Sequence, residues 1–428
     1  MRRLHPIATA LALATMLWSG ARPAGAEVTI AISCSSLGVE AALCRTGAED
    51  WAEATGNRVE LVSTPADANE RLALYQSLLA AESGEIDVFQ IDVIWPGVLA
   101  GHFVDLADHL SAEDLAGHFD ILIDNNTVDG ALVAAPWFVD AGLLYYRRDL
   151  LEAHGRAVPE TWDELAETAA LIVEAERASG AAELQGFVWQ GRAYEGLACN
   201  ALEWIYSHGG GTIVDSSGAV TLPNEAAERA IAMARGWIGT ISPRGVLNYA
   251  EEDARGVFQS GRAVFMRNWP YAWALANAED SPVRGKVGIA PLPKGPGAEG
   301  RHAAVLGGQQ LAVSRYSEHP EEAADLVRHL TGAAEQKRRA LEGAFNPTRP
   351  DLYEDPDLIA ANPFLAEFPE VLANAVARPS TVTGRRYNQL SGSFVQAVHD
   401  ALSGRGEPQE LLAALAERLE QLSRGGNW

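Results

Sequence analysis

Arg267-Asn268-Trp269-Pro270-Tyr271-Ala272-Trp273 closes a passage from helix to strand. Glu251–Ser260 has helical spacing, and Ala263–Met266 is a short apolar run that reads as a strand. Trp269, Tyr271 and Trp273 place three aromatics within five residues, with Pro270 fixing the backbone between the first two. Proline removes a ladder donor, so a central buried strand rarely holds one. The segment reads as a strand that empties into a stiff aromatic turn, suited to presenting flat faces. Sugars fit such faces: one side of a pyranose is a patch of C–H groups and its rim is hydroxyl. Aromatic rings bury the patch while Trp N–H and Tyr O–H stay available for polar partners. The alternative is a small aromatic core cluster at a strand end.

The same strand-and-helix alternation continues on both sides of this segment. Val28–Ser33, Arg58–Val62, Asp87–Val93, Ala131–Val139, Lys286–Pro291 and Gln309–Ser314 read as strands. Helical spacing covers Ala68–Ala81, Pro320–Leu330, Asn388–Leu402 and Pro408–Leu422. Thr161-Trp162-Asp163-Glu164 is a capping box that opens a helix to about Ala178, and Pro223-Asn224-Glu225 opens another to about Ile238. Alternation over this length means an α/β architecture. Neither an internal repeat nor a low-complexity linker interrupts it, which suggests two lobes that exchange the chain several times.

The N-terminus reads as an export signal. Arg2 and Arg3 precede an apolar stretch, Ile7–Ala21, and Ala24-Gly25-Ala26 supplies a small-x-small cleavage pattern. Cleavage after Ala26 leaves 402 residues, more than one core usually supports. The signal carries three arginines and no acid, so its removal takes the formal charge from −24 to −27. A field of that sign argues against nucleic acid and anionic membrane surfaces. In an oxidising compartment Cys34 and Cys44, with nine residues between them, are expected to bridge. Cys199 is then odd and, among apolar neighbours, is expected to be a buried, inert thiol. No Cys/His spacing resembles a metal site.

Two acids stand out. Asp92 interrupts the apolar run Asp87–Gly97, and Asp140 is the lone acid where an extended segment turns. A carboxylate in such a place needs a partner, because burying an unpaired charge is costly. Each either caps a neighbouring backbone or faces a cleft. The catalytic inventory is poor: there is no Gly-x-Ser-x-Gly, Walker loop, Gly-x-Gly-x-x-Gly or His-Glu-x-x-His. Gly209-Gly210-Gly211 lacks the lysine and hydroxyl of a phosphate loop. The residues call for no cofactor.

Taken together, Asp87–Gly97, Asp140–Leu151, Gly186–Gly196, Arg267–Trp273, Asp280–Pro293 and Leu306–Gly308 resemble the trehalose/maltose-binding proteins of ABC importers, within the sugar-type extracellular solute-binding proteins. The resemblance covers essentially the whole chain after the signal. It implies a two-lobe periplasmic binding protein fold with three interlobe crossings. Lobe I would take residues 27–136 and 285–340, and lobe II residues 137–284 and 341–428. It further implies a monomer in the periplasm that passes its ligand to the permease of an ABC importer in the inner membrane. Residue by residue, Glu40, Asp92 and Asp140 match acids that accept from sugar hydroxyls. Trp269 and Tyr271 match stacking and edge-donating aromatics, Gly308 a backbone contact, and Arg378 a cleft arginine near the C-terminus.

This chain departs from that pattern in three places. Gln309 follows the double glycine where the family has tryptophan. Phe138 stands two residues before Asp140 where the family has tyrosine. The hydroxyl-bearing residue expected around Ala66–Ala68 is missing. These changes reshape the pocket around one sugar ring, so the expected ligand is an α-glucoside, either a trehalose- or maltose-like disaccharide or a compact glucoside such as one with a glycerol or glycerate aglycone. The remaining alternatives are a binding protein for an anionic sugar, gripped by Arg378 and Gln309, and a secreted glycoside hydrolase using two of the three acids.

Overall fold

A computed structural model describes residues 27–428, so the export signal lies outside the described residues. Twelve strands are present among these residues. They are β1 (Thr29–Ser35), β2 (Arg58–Thr64), β3 (Val88–Asp92), β4 (Thr127–Val128), β5 (Ala131–Leu132), β6 (Ala135–Ala141), β7 (Leu143–Arg147), β8 (Gln185–Val188), β9 (Ala263–Asn268), β10 (Val287–Pro291), β11 (Ala304–Val313) and β12 (Ala375–Val376). The first sheet runs β12-β11-β3-β1-β2, with β6 also pairing β11; the second runs β10-β7-β9-β8. In the first sheet β1 is parallel to β2 and β3, while β11 enters antiparallel to β3 and β6. β4 and β5 form a separate hairpin about Asp129 and Gly130, both at positive φ, as a tight two-residue hairpin turn requires.

The chain crosses between the sheets where β6 gives way to β7 at Gly142, and returns where β10 gives way to β11. Sheet membership departs from the expected lobe bounds at three places, one being Ala375–Val376, which pair with β11 in the first sheet. Trp137–Ala141 belong with the first sheet, because β6 pairs β11 as far as Ala141. Val287–Pro291 belong with the second, because β10 is antiparallel to β7 and the next loop stays there, Lys294 N–H donating to Glu160 O and Gly295 N–H to Ser207 O. The expected single strand Ala131–Val139 is likewise two strands in different sheets, since β5 is drawn off by its hairpin with β4.

Helices form where their caps and apolar faces dictate. The capping box at Thr161 is present and starts Trp162–Ala178; Asn224 accepts from Ala227 N–H to start Glu225–Trp237. Glu40–Thr55 and Pro320–Thr331 cover the first sheet through a core of Ile30, Ile32, Trp51, Leu311, Leu326 and Val327. The terminal helices Tyr387–Leu402 and Pro408–Ser423 pack instead on Glu195–Ser207 and Glu225–Trp237, in the lobe of the second sheet. Cys34 and Cys44 are bonded and tie the end of β1 to the first helix; Cys199 is free and buried. No described helix is long and apolar enough to cross a membrane.

Candidate functional site

Sheet register assembles the floor of the cleft. Gln309 on β11 lies opposite Asp92 at the end of β3 and opposite Phe138 on β6, so the three side chains share one row. Two residues back on β11, Gly307 lies opposite Asp140. Both glycines of the pair are sterically required. A Cβ on Gly307 would meet the Trp269 ring at 2.9 Å, and one on Gly308, at φ +120°, would meet Phe138 O at 2.3 Å. The strand thus passes close under the aromatic turn. That turn is fixed in its place by Tyr145, whose hydroxyl donates to Trp269 O at 2.8 Å and Pro270 O at 3.1 Å.

A cavity opens over this floor between the lobes. Leu37, Glu40, Ala66, Ala68, Arg71 and Asp92 line it from one side, and Tyr194, Glu195, Gly196, Cys199, Glu251 and Trp269 from the other. Phe138, Asp140, Gly307, Gly308, Gln309 and Arg378 come from the crossing segments. Its empty space, mouth included, is about 560 Å³. The lobes also touch at the rim: Arg192 pairs with Asp67, and Glu195 N–H donates to Asn69 Oδ1 at 3.1 Å.

Eight of the nine residues expected at the site line this one cavity: Glu40, Asp92, Phe138, Asp140, Trp269, Gly308, Gln309 and Arg378. Tyr271 does not. Its ring packs beneath Gly38 in the core of the first lobe, and its hydroxyl donates to Glu252 Oε1 at 2.8 Å, which leaves it no edge toward the cleft. The reason is local. Pro270 starts a turn that carries directly into the short helix Ala272–Ala276, rotating Tyr271 away from Trp269.

Sequence reasoning missed Arg71, Glu195 and Glu251. Arg71 had a signal: it stands on the buried i, i+4 stripe Arg71–Tyr75–Leu79 of Ala68–Ala80, where an unpaired charge is out of place. Glu195 opens the helix Glu195–Ser207 and accepts from Tyr387 and Ser391 hydroxyls, each at 2.5 Å. Those partners lie near the C-terminus, so nothing in the local sequence announces them.

The electrostatics separate satisfied groups from unsatisfied ones. Arg378 spans the cleft, Nη1 donating to Glu195 Oε1 at 2.9 Å and Nη2 to Asp92 Oδ1 at 3.1 Å. Gln309 makes only long contacts, donating to Asp92 Oδ2 and accepting from Arg71, both at 3.4 Å. Glu40 accepts from Gln90 Nε2 at 3.2 Å; burial raises its pKa, against the opposing charge of Arg71. Asp140 differs: its Oδ1 is buried with no hydrogen-bond partner. Burial first, then Glu40 and Asp92 nearby, push its carboxyl up to about 8. Cys199, although on the cavity wall, is no nucleophile, because burial pushes its thiol up to about 12.

This cleft architecture matches known proteins. Residues 44–337 fit the family model of bacterial extracellular solute-binding proteins. The chain belongs to that family. A probable ABC transporter-binding protein of Deinococcus radiodurans is 50% identical over 94% of this chain and 95% of its own length. Maltose-bound MalE3 of T. maritima is 40% identical, with a TM-score of 0.88 over 92% of this chain and all of that one. A ribitol-bound solute-binding protein of Agrobacterium radiobacter shares the fold at 24% identity and a TM-score of 0.80 over 92% of this chain and 98% of its own. The fold is the two-lobe, maltose-binding-protein type, and the chain is a solute-binding protein of an ABC transporter. Its family is one of transport proteins, not enzymes.

Proposed function

We propose that this solute-binding protein captures a compact α-glucoside in the periplasm and delivers it, as a monomer freed of its signal by cleavage after Ala26, to an ABC importer permease. The observation that carries this reading is Asp140 Oδ1, a buried acceptor without a donor in a cavity otherwise rich in acceptors. Such a group is expensive to bury unless a ligand supplies the donor. Vicinal hydroxyls suit it, since the ionised carboxyl can accept one at each oxygen and the neutral form can accept one and donate to the other. Trp269 offers a face for a sugar's C–H side, and Glu251 holds its indole N–H at 3.4 Å. Both cleft guanidiniums have acidic or amide partners in reach, with Arg378 gripped by two carboxylates, so charge balance favours a neutral ligand over an anionic sugar. The small free interior favours one ring with a short polar aglycone, or a disaccharide that wedges the lobes wider. The maltose in the T. maritima relative supports the ligand class.

Closure follows from differential affinity: ligand stabilises the closed form only by what it gains there over the open form. A thermal-shift screen of maltose, trehalose, glucosylglycerol and ribitol tests the reading. The right ligand at about 100 times its dissociation constant adds about 2.7 kcal/mol of stability. Prolonged incubation should return it unchanged, and steady release of glucose would mark an enzyme instead. If none of the glucosides shifts the melting temperature while an acidic sugar does, the neutral-ligand reading fails.

A further inference from the structure

Arg339, on the helix Ala333–Gly343, is 1% exposed, and its Nε, Nη1 and Nη2 all lack a protein hydrogen-bond partner. Its guanidinium carbon sits 3.8 Å from the ring centre of Trp137, 4.8 Å from Phe345 and 5.4 Å from Phe138. Aromatic faces attract a desolvated cation, but less strongly than water would. The charges around it are therefore decisive. On its own helix stand Glu335 and Arg338, and Glu335 is already occupied by Arg338, at 2.8 and 2.6 Å. The acids left to face Arg339 are Glu40 at the start of Glu40–Thr55 and Asp140 on β6. Both line the ligand cavity, and so does Phe138, the ring on which Arg339 rests. The cation stands one aromatic layer behind the ligand.

We propose that Arg339 is a positioning residue of the ligand site, a fixed buried cation behind the Phe138 wall that holds Glu40 and Asp140 as acceptors for ligand hydroxyls. It touches no ligand itself. Four charges act on Asp140 from other elements: Glu40 and Asp92 disfavour its anion, and Arg267 on β9 joins Arg339 in favouring it. Arg267 is already bound to Glu203 at 2.5 and 2.9 Å, so Arg339 is the cation without a carboxylate of its own. Its aromatic cradle keeps water from screening that charge, and a charge in so dry a place acts strongly over one ring's width.

The inference rests on the hydroxyl-binding reading above, and a ligand-free measurement keeps the two separable. The Asp140 carboxyl is titrated by carbon-detected NMR in the purified, ligand-free protein, with Asp140→Asn as the assignment control. Arg339→Met preserves bulk and removes the charge; it should raise the Asp140 midpoint, about 8 in the native chain, by roughly one pH unit or more. Arg339→Lys keeps the charge and should hold the midpoint near the native value. Glu335→Gln frees more of the cation's field and should lower it. With maltose as probe, calorimetry at pH 7 should show Arg339→Met about tenfold weaker than native, the equivalent of one pH unit. An unmoved midpoint in Arg339→Met, or an equal rise in Arg339→Lys, would make Arg339 only a filler of its aromatic cradle and overturn the proposal. Should Arg339→Met not fold, an unmoved midpoint in Glu335→Gln overturns it as well. If native protein ignores maltose, the ligand reading is at fault, and the titration still decides the role of Arg339.

Discussion

Two buried charged clusters meet at the aromatic turn, and they are finished to different degrees. Arg267 and Glu203 are each 1% exposed in their side chains and form a two-point ion pair. Neutral groups extend the pair: Gln190 Oε1 accepts from Arg267 and Asn200, Gln190 Nε2 donates to Arg267 O, and Val305 N–H donates to Glu203, while Asn200 Oδ1 has no partner. Asp92, Gln309 and Asp140 lie on the other side of Trp269, where contacts lengthen to 3.4 Å and one carboxylate oxygen has no donor. The first cluster is a strut: Arg267 also backs Trp269, its guanidinium carbon 3.8 Å from the ring centre. The second is a socket. Burial alone does not distinguish the two; the pairing of their charged groups does, since the strut's acid is held by its base and the socket's Asp140 Oδ1 has no donor.

The largest test of that distinction removes one partner of the strut. Glu203→Ala leaves Arg267 buried and unpaired, which should cost about 3–5 kcal/mol of folding stability. Chemical denaturation measures it. A variant as stable as wild type would show that the strut is not what holds the turn.

Removing the socket's acid should weaken binding without costing folding stability. Asp140→Ala is expected to weaken ligand by about 1.5–3 kcal/mol, roughly 10–150-fold in dissociation constant, with the circular dichroism spectrum unchanged. Affinity within twofold of wild type would put the ligand elsewhere.

Gln309 refines the comparison from within the socket. Its amide has only two long contacts to lose. Gln309→Trp should therefore be tolerated, and should shift preference toward trehalose or maltose in competition titrations. An unchanged ranking of glucosides would mean that position 309 does not choose the ligand.

The last test is a matter of sign with pH. Asp140 titrates near 8 in the empty cleft, against an ordinary value of 3.8. The folded state therefore binds this proton more tightly than the unfolded chain, and stability is lost as pH rises through that window. Asp140→Asn lifts the penalty. It should melt a few degrees above wild type at pH 8 and together with it near pH 4, provided no ligand is present. A gap that is equal at both pH values would show that Asp140 is not protonated in the empty cleft.

Much of this organisation was legible in the sequence because it is local. The capping box at Thr161 needs only four consecutive residues. Asp92 stood out as an acid in an apolar run, and Cys34 and Cys44 needed only proximity along the chain and an oxidising destination. The resemblance in ordered blocks named eight residues that the fold brings to one cavity. Tyr271 escaped it, since one turn of backbone decides whether a ring faces a cleft or a core. Glu195 escaped it because Tyr387, Ser391 and Arg378, its buried partners, come from about two hundred residues downstream.

The sequence by itself determined the two-lobe α/β class and singled out acids and aromatics that line the cleft, because periodicity, caps and lone buried acids are properties of neighbouring residues. Only the tertiary structure decided which charges are complete and which are left open. Gln309 lies between Asp92 and Phe138 by strand register, Arg378 is shared between Asp92 and Glu195, and Arg339 stands behind Phe138. Each of these depends on segments far apart in the chain whose alignment is fixed only in the folded whole, and for Gln309 a slip of one residue in strand register would turn the side chain to the other face.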